Sequence, residues 1–106
     1  MKLYEKLLAA ADSVKAAFES IPEIAVMLGT GQNEIFDLSD KQSLKYCDIP
    51  YFPKPANPSH SGVLYNDGRA LYFSGRCHFY EGHSAEDTAF YVLLLKQLGC
   101  RVLIIT

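Results

Sequence analysis

Ile24-Ala25-Val26-Met27-Leu28-Gly29-Thr30-Gly31 decides the fold. Its first five residues are an unbroken apolar run, without the three-and-four spacing of an amphipathic helix. They also lack the alternation of a strand wetted on one face, so the run predicts a strand covered on both sides. Gly29-Thr30-Gly31 then stops it. The same kind of run returns as Val102-Leu103-Ile104-Ile105. Before it, Ala89, Phe90, Leu93, Leu94 and Leu98 mark a helix. Ser84 and Asp87 stand where an N-cap pair would, and Gly99 stands at the C′ position. Strand, helix and strand at this spacing predict a crossover unit and a largely parallel sheet.

Working outward, Leu3, Leu7, Leu8, Ala11, Val14 and Phe18 form one apolar stripe of an N-terminal helix, which Pro22 ends. Leu44–Ile49 reads as a short strand with crude alternation. Pro50, Pro53, Pro55 and Pro58 make the next stretch a loop, because each removes a backbone donor. Val63-Leu64-Tyr65 and Ala70-Leu71-Tyr72-Phe73-Ser74 flank Asn66-Asp67-Gly68-Arg69 and read as a β-hairpin. Neither a repeat nor a low-complexity segment interrupts the pattern. An apolar parallel strand needs cover on both faces and usually a neighbour on each side. The run at 102–105 has nothing downstream to provide them, so residues 1–106 read as the first part of a larger α/β domain.

The composition narrows the function classes. The chain has 106 residues, 49% hydrophobic and 21% charged, with ten Lys+Arg against twelve Asp+Glu for a formal charge of −2. Such a mixture is too apolar for a disordered chain. The near-neutral balance argues against a nucleic-acid partner, which calls for a clustered basic face. No run approaches the roughly 18–20 apolar residues of a membrane span. The start, Met1-Lys2-Leu3-Tyr4-Glu5-Lys6, lacks the apolar core of a signal peptide. Cys47, Cys77 and Cys100 are odd in number and form no C-x-x-C pair, so a reducing cytoplasmic setting is expected.

Two segments carry concentrated chemistry. Gly29-Thr30-Gly31 offers backbone N–H groups and a hydroxyl at the carboxyl end of a buried strand, where open α/β sheets bind ligands and a phosphate fits such donors. A tight turn explains the same residues equally well, and the dinucleotide fingerprint fails because its third glycine falls at Glu34. Gly75-Arg76-Cys77-His78-Phe79-Tyr80-Glu81-Gly82-His83 places a guanidinium, an imidazole, a phenol and a carboxylate between two glycines. Arg76 suits a bidentate clamp on phosphate or carboxylate. The alternative is an exposed loop with an Arg–Glu pair. A metal site from His78, His83, Cys77, Glu81 and His60 is a competitor, but H-x-x-x-x-H in a loop is not the i, i+4 helical pair. A Cys77–His dyad lacks any flanking signature. Cys47 and Cys100 read as small packed hydrophobes, and Tyr46, Tyr51, Tyr65 and Tyr72 as residues that fill and cover the sheet. On its own, His60 in Pro58-Ser59-His60-Ser61-Gly62 reads as a loop histidine.

Taken in order and spacing, three pieces resemble the purine nucleoside phosphorylase family, in its lower-mass, typically trimeric class. They are Leu28-Gly29-Thr30-Gly31, Pro58-Ser59-His60-Ser61-Gly62 and the 75–83 segment, which fits the family's G-R-x-H-x-Y-E-G pattern at every fixed position. Ile49-Pro50-Tyr51-Phe52-Pro53 and the passage from Leu98-Gly99 into Val102–Thr106 look like the family too. The resemblance implies a three-layer α/β/α sandwich with a mixed, mostly parallel sheet. It implies phosphorolysis of purine nucleosides to free base and ribose 1-phosphate, with Thr30, His60, Arg76 and His78 on phosphate and Tyr80 on ribose. Glu81 would orient the phosphate or its neighbours, and His78 and Glu81 would be the catalytic pair. Neither metal nor organic cofactor is implied; the partners are nucleoside, phosphate and, as a family expectation, two further copies in a trimer.

Thr30 replaces the more usual Ser, Asn33 stands where a further Gly is common, and Cys77 occupies a variable, usually apolar position. The family's base-recognising acid and amide, a second phosphate-binding serine and a late histidine have no counterpart in these residues. The chain alone is therefore expected not to catalyse efficient phosphorolysis. A shortened, non-catalytic homologue that binds phosphate, nucleoside or a protein partner is the alternative, and a methylthioadenosine phosphorylase a more distant one.

Overall fold

The computed structural model describes residues 2–28, 40–53, 62–74 and 85–105, the side chains of the last stretch from residue 89 onward. The elements are α1 (Leu3–Ala17), β1 (Ile24–Leu28), β2 (Gln42–Lys45), a 3₁₀ turn (Tyr46–Asp48), β3 (Val63–Asn66), β4 (Ala70–Ser74), α2 (Ala85–Leu98) and β5 (Val102–Ile105). The strands form one mixed sheet in the order β2-β3-β4-β1-β5. β1 pairs in parallel with β4 and β5, whereas β2–β3 and β3–β4 are antiparallel. β4 and β5 therefore flank β1 on opposite sides, and the connection through α2 crosses over it.

Strand residues alternate between two faces, as the pleat requires. Ala25, Met27, Leu64, Leu71 and Phe73 join the main core, and they meet both helices there. Leu7, Ala10, Ala11, Val14 and Phe18 come from α1 and its end; Phe90, Tyr91, Leu94, Leu95 and Leu98 come from α2. The two helices thus cover the same face. Val26, Leu28 and Ala70, with Tyr65 and Tyr72 against them, make a smaller cluster on the other face. Among the described residues, then, the sheet and one helical layer are present.

The apolar run of β1 is buried throughout Ala25–Leu28, as a doubly covered strand should be. β5 differs. Leu103 packs against the main core, while Val102, Ile104 and Ile105 stay exposed. Its start is nonetheless tied to β1, because the Arg101 and Val102 amides both donate to the Glu23 carbonyl at 2.7 and 3.2 Å. In α2, Ala89 and Leu93 of the expected stripe face outward and Tyr91 and Leu95 face inward. Gly99 closes the helix with φ +89°, the left-handed C′ conformation that glycine adopts without strain.

The expected strand over 44–49 is a correction. It runs Gln42–Lys45 and then turns sharply. Tyr46 leaves the strand direction to enter the core, its ring centroid 4.6 Å from that of Phe52, and burial of a large aromatic outweighs weak strand alternation.

Candidate functional site

Register brings the flanks of the three segments singled out in the sequence to one end of the sheet. Leu28, the last residue of β1, pairs with Ser74, the last residue of β4. Ser74 pairs on its other side with Val63, the first residue of β3, and Val63 pairs with Lys45, the last of β2. Lys45, Val63, Ser74 and Leu28 thus form one row across four strands. From this row the chain leaves β1 into Gly29, leaves β4 into Gly75 and enters β3 from Gly62. Those are the flanks of the three segments singled out in the sequence. Adjacent strands lie about 4.8 Å apart, so the three junctions Leu28, Ser74 and Val63 span roughly 10 Å. A phosphate with a sugar attached is commensurate with that span.

Thr30, His60, Arg76, His78, Tyr80 and Glu81 all lie outside the described residues, as do Cys77 and His83. What the described residues establish is the common origin of the segments that carry them. The carboxyl ends of the two parallel strands β1 and β4, with crossover connections to either side, are the position where α/β sheets open a ligand crevice. The described strand ends bring the flanks of the three connections to this one edge of the sheet. Three connections start or finish within two strand spacings of one another.

Beneath the row lies an aromatic cluster. Tyr46, Phe52, Phe73 and Tyr91 pack with centroid separations between 4.6 and 6.4 Å, and Phe90 meets Phe52 edge-on at 6.2 Å. Phe73 immediately precedes Ser74, and Phe52 lies just before the 54–61 segment. Gly62, at the far end of that segment, presses its backbone on the Tyr46 ring so closely that a Cβ would overlap the ring atoms. The Tyr46 amide also donates to the Gly62 carbonyl at 3.0 Å. Neither the aromatic cluster nor this contact was legible as part of a site; the only sequence signal was an unusual density of Tyr and Phe around the prolines.

The opposite end of the sheet holds the described polar chemistry, and it is structural. Asp67 accepts from the Arg69 and Ala70 amides at 2.8 and 2.9 Å and from the Tyr72 hydroxyl at 3.0 Å. Burial pushes the Asp67 carboxyl up, but the hydrogen bonds from Ala70, Arg69 and Tyr72, with the Lys41 charge, outweigh it and leave it below the usual range. Burial, then the bond to Asp67 and its charge, raise the Tyr72 phenol. Asn66 donates from Nδ2 to the Ser20 carbonyl at 2.9 Å and accepts the Gly68 amide at 2.8 Å. These bonds fix the hairpin turn, where Gly68 takes φ +87°.

Of the two described cysteines, both expected to be packed, only Cys100 is partly buried. Cys100 donates to the Pro22 carbonyl at 3.3 Å, and burial pushes its thiol up, away from reactivity. Cys47 is exposed rather than packed. Among the described residues no three His, Cys, Asp or Glu side chains gather to hold a metal ion, and no helix is long and apolar enough to cross a membrane. A cavity of about 180 Å³ lies between the last turns of α2 and the start of β5, at the end of the sheet away from the row, with Lys96 and Arg101 among its lining residues.

Comparison with known proteins places these elements in context. Purine nucleoside phosphorylase 1 of Bacillus subtilis is 36% identical over 102 residues, covering 92% of this chain and 38% of that protein. The Bos taurus purine nucleoside phosphorylase is 34% identical over 93 residues, covering 83% and 32%. Among solved structures, the Schistosoma mansoni purine nucleoside phosphorylase in complex with acetate superposes with a TM-score of 0.82 at 30% identity, over 95% of this chain and 39% of that one. Isoform 2 from the same organism, in complex with cytosine and ribose-1-phosphate, gives 0.80 at 34% identity over 96% and 38%. The chain spans well under half the length of these relatives. No family model matches it.

Proposed function

We propose, from its similarity to purine nucleoside phosphorylases over little more than a third of their length, that this chain belongs to that family and forms the phosphate side and one ribose wall of a phosphorolytic site. The reaction is attack of inorganic phosphate on the anomeric carbon of a purine nucleoside. The C1′–O bond to phosphate forms as the C1′–N bond to the base breaks, giving ribose 1-phosphate and free base. The observation that carries this reading is the single row Val63–Ser74–Leu28, from which all three motif-bearing segments depart.

The chemistry explains why such a row is useful. The transition state is oxocarbenium-like, so the anionic nucleophile must be held close to a developing positive charge. Most of the catalytic benefit then comes from positioning and from preorganised donors. Thr30, His60, Arg76 and His78 hold phosphate in this account: a hydroxyl, two imidazoles and a guanidinium whose fork matches two phosphate oxygens. Tyr80 faces the ribose, and Glu81 orients the phosphate or the groups around it. His78 and Glu81 act closest to the reacting atoms. Phosphate is a co-substrate, and no metal or organic cofactor takes part. The whole enzyme acts in purine salvage in the cytoplasm, as a trimer.

The residues that choose the base lie elsewhere in a domain of this kind. Residues 1–106 alone therefore bind phosphate without efficient turnover; inosine cleavage at an ordinary enzymatic rate of roughly 1–10³ s⁻¹ would overturn that part of the account. Phosphate binding itself is tested by thermal unfolding. At about 100 times its dissociation constant phosphate should stabilise the chain by roughly 2.7 kcal/mol, and Arg76→Ala should abolish the rise. An equal rise in both proteins, or none in either, refutes the assignment.

A further inference from the structure

We propose that Tyr46 and Gly62 are positioning residues that set the placement of His60, and so the strength of phosphate binding. The inference rests on the functional reading above, and it is built from the described residues on either side of the 54–61 segment.

Gly62 is the last residue before β3, and its α-carbon faces the flat of the Tyr46 ring with no space for a methyl group. The ring cannot yield easily. Tyr46 is 1% exposed, with Phe52 at 4.6 Å, Phe73 at 6.4 Å and Tyr91 at 6.4 Å between ring centroids. Phe52 is in turn wedged edge-on against Tyr91 at 4.9 Å. The Gly62 backbone is held from the other direction, because its carbonyl accepts the Tyr46 amide at 3.0 Å. One residue therefore touches Gly62 twice, through its ring and through its backbone.

The same cluster grips the other end of the segment. Phe52 and Pro53, which lead into it, are both buried, and the Phe52 amide donates to the Ile49 carbonyl at 3.3 Å. Entry and exit of residues 54–61 are thus referred to one set of rings. Those rings also include Phe73, next to the residue from which the 75–84 segment departs. His60 is two residues from Gly62, at most about 7 Å along the chain. Making room for a methyl at position 62 requires a displacement on the order of 1 Å or more, since carbon atoms rest about 3.5–4 Å apart. Misplacement of a site group by about 1 Å can cost roughly a hundredfold in function. A simple packing role predicts a different result, namely lost stability with unchanged affinity in the molecules that remain folded.

The experiment is a titration of the 106-residue chain with inorganic phosphate by calorimetry and NMR, well below its melting temperature. In the wild-type chain the Gly62 α-protons should be displaced upfield by the Tyr46 ring current. Gly62→Ala should weaken phosphate binding about tenfold or more. Tyr46→Leu, which removes the ring but keeps the glycine, should act in the same direction, and it decides the matter if Gly62→Ala does not fold. Leu98→Val, in the last turn of α2, should lower the melting temperature while leaving affinity within about twofold. Ordinary shifts for the Gly62 α-protons, or phosphate binding unaltered in both cluster variants, overturn the positioning role. A wild-type chain with the ring-current shift but no phosphate binding overturns the functional reading, and this role with it.

Discussion

Asn66 ends β3 with only 3% of its surface exposed, and replacing it tests how the two ends of the sheet are held. Its Nδ2 donates to the Ser20 carbonyl at 2.9 Å, linking the hairpin to the connection between α1 and β1. Its Oδ1 accepts the Gly68 amide at 2.8 Å. Asn66→Ala removes both bonds. At about 0.5–1.5 kcal/mol net for each, the loss is roughly 1–3 kcal/mol. A domain of this size shifts about 4–8 °C per kcal/mol, so the melting temperature should fall by roughly 10 °C. Asn66→Asp is more discriminating. It keeps the acceptor for Gly68 but sets a carboxylate oxygen against the Ser20 carbonyl, with the Asp67 carboxylate next in sequence. Both neighbours and burial raise the folded-state pKa of the new carboxyl above its unfolded value of about 3.9. The charge penalty is therefore present above the folded pKa and fades as pH falls through it, because the protonated acid can donate to Ser20. Thermal unfolding by circular dichroism from pH 7 to 4, each variant against wild type at the same pH, reads this out. At pH 7 Asn66→Asp should be less stable than Asn66→Ala, and on acidification it should recover. A pH-independent deficit, or wild-type stability at pH 7, refutes the reasoning.

Other expectations follow from the sheet's turn and edge. Asp67 has a depressed carboxyl held by Ala70, Arg69 and Tyr72, so its stabilising effect is present above the unfolded value and is lost as pH drops through its lower folded value; Asp67→Asn should flatten the acid limb of the stability curve, and an unchanged limb would contradict the assignment. Among the described residues β5 is an edge strand that exposes Val102, Ile104 and Ile105 and carries no Lys or Pro, whereas the other edge, β2, carries exposed Gln42, Ser43 and Lys45. Sedimentation over a range of concentrations should show the chain self-associating and Ile104→Lys suppressing it; association that is equal in both would place the contact elsewhere.

Much of the architecture is legible in the residues because local and long-range preferences agree. The Ile24–Leu28 run, the hairpin around Asp67-Gly68, α2 with its Gly99 stop and the Val102–Ile105 strand all satisfy local pattern and final packing together. Legibility fails where tertiary packing overrules the local pattern. Tyr46 breaks the expected 44–49 strand because its ring finds Phe52, Phe73 and Tyr91, residues far apart in the chain. The apolar run Val92-Leu93-Leu94-Leu95 offers α2 more than one possible buried stripe, and contact with α1 and the sheet selects Tyr91, Leu94, Leu95 and Leu98. That both helices take the same face could not be read from either helix alone. For the site, the motifs supply the chemistry of Thr30, His60, Arg76, His78, Tyr80 and Glu81. Register supplies what they could not, the common row from which their segments leave the sheet. Gly62, in the sequence only the last residue of the Pro58–Gly62 piece, is a point of close approach to the Tyr46 ring.

The most direct test of a phosphate site at this end of the sheet is an amide-resolved NMR titration of the chain with inorganic phosphate. Saturable shifts should concentrate at Leu28, Gly29, Gly62, Val63, Ser74 and Gly75, leave the Asp67–Arg69 turn at the opposite end unmoved, and vanish in Arg76→Ala. Shifts centred on that turn or on the cavity between α2 and β5, or no saturable shifts at all, would contradict the account.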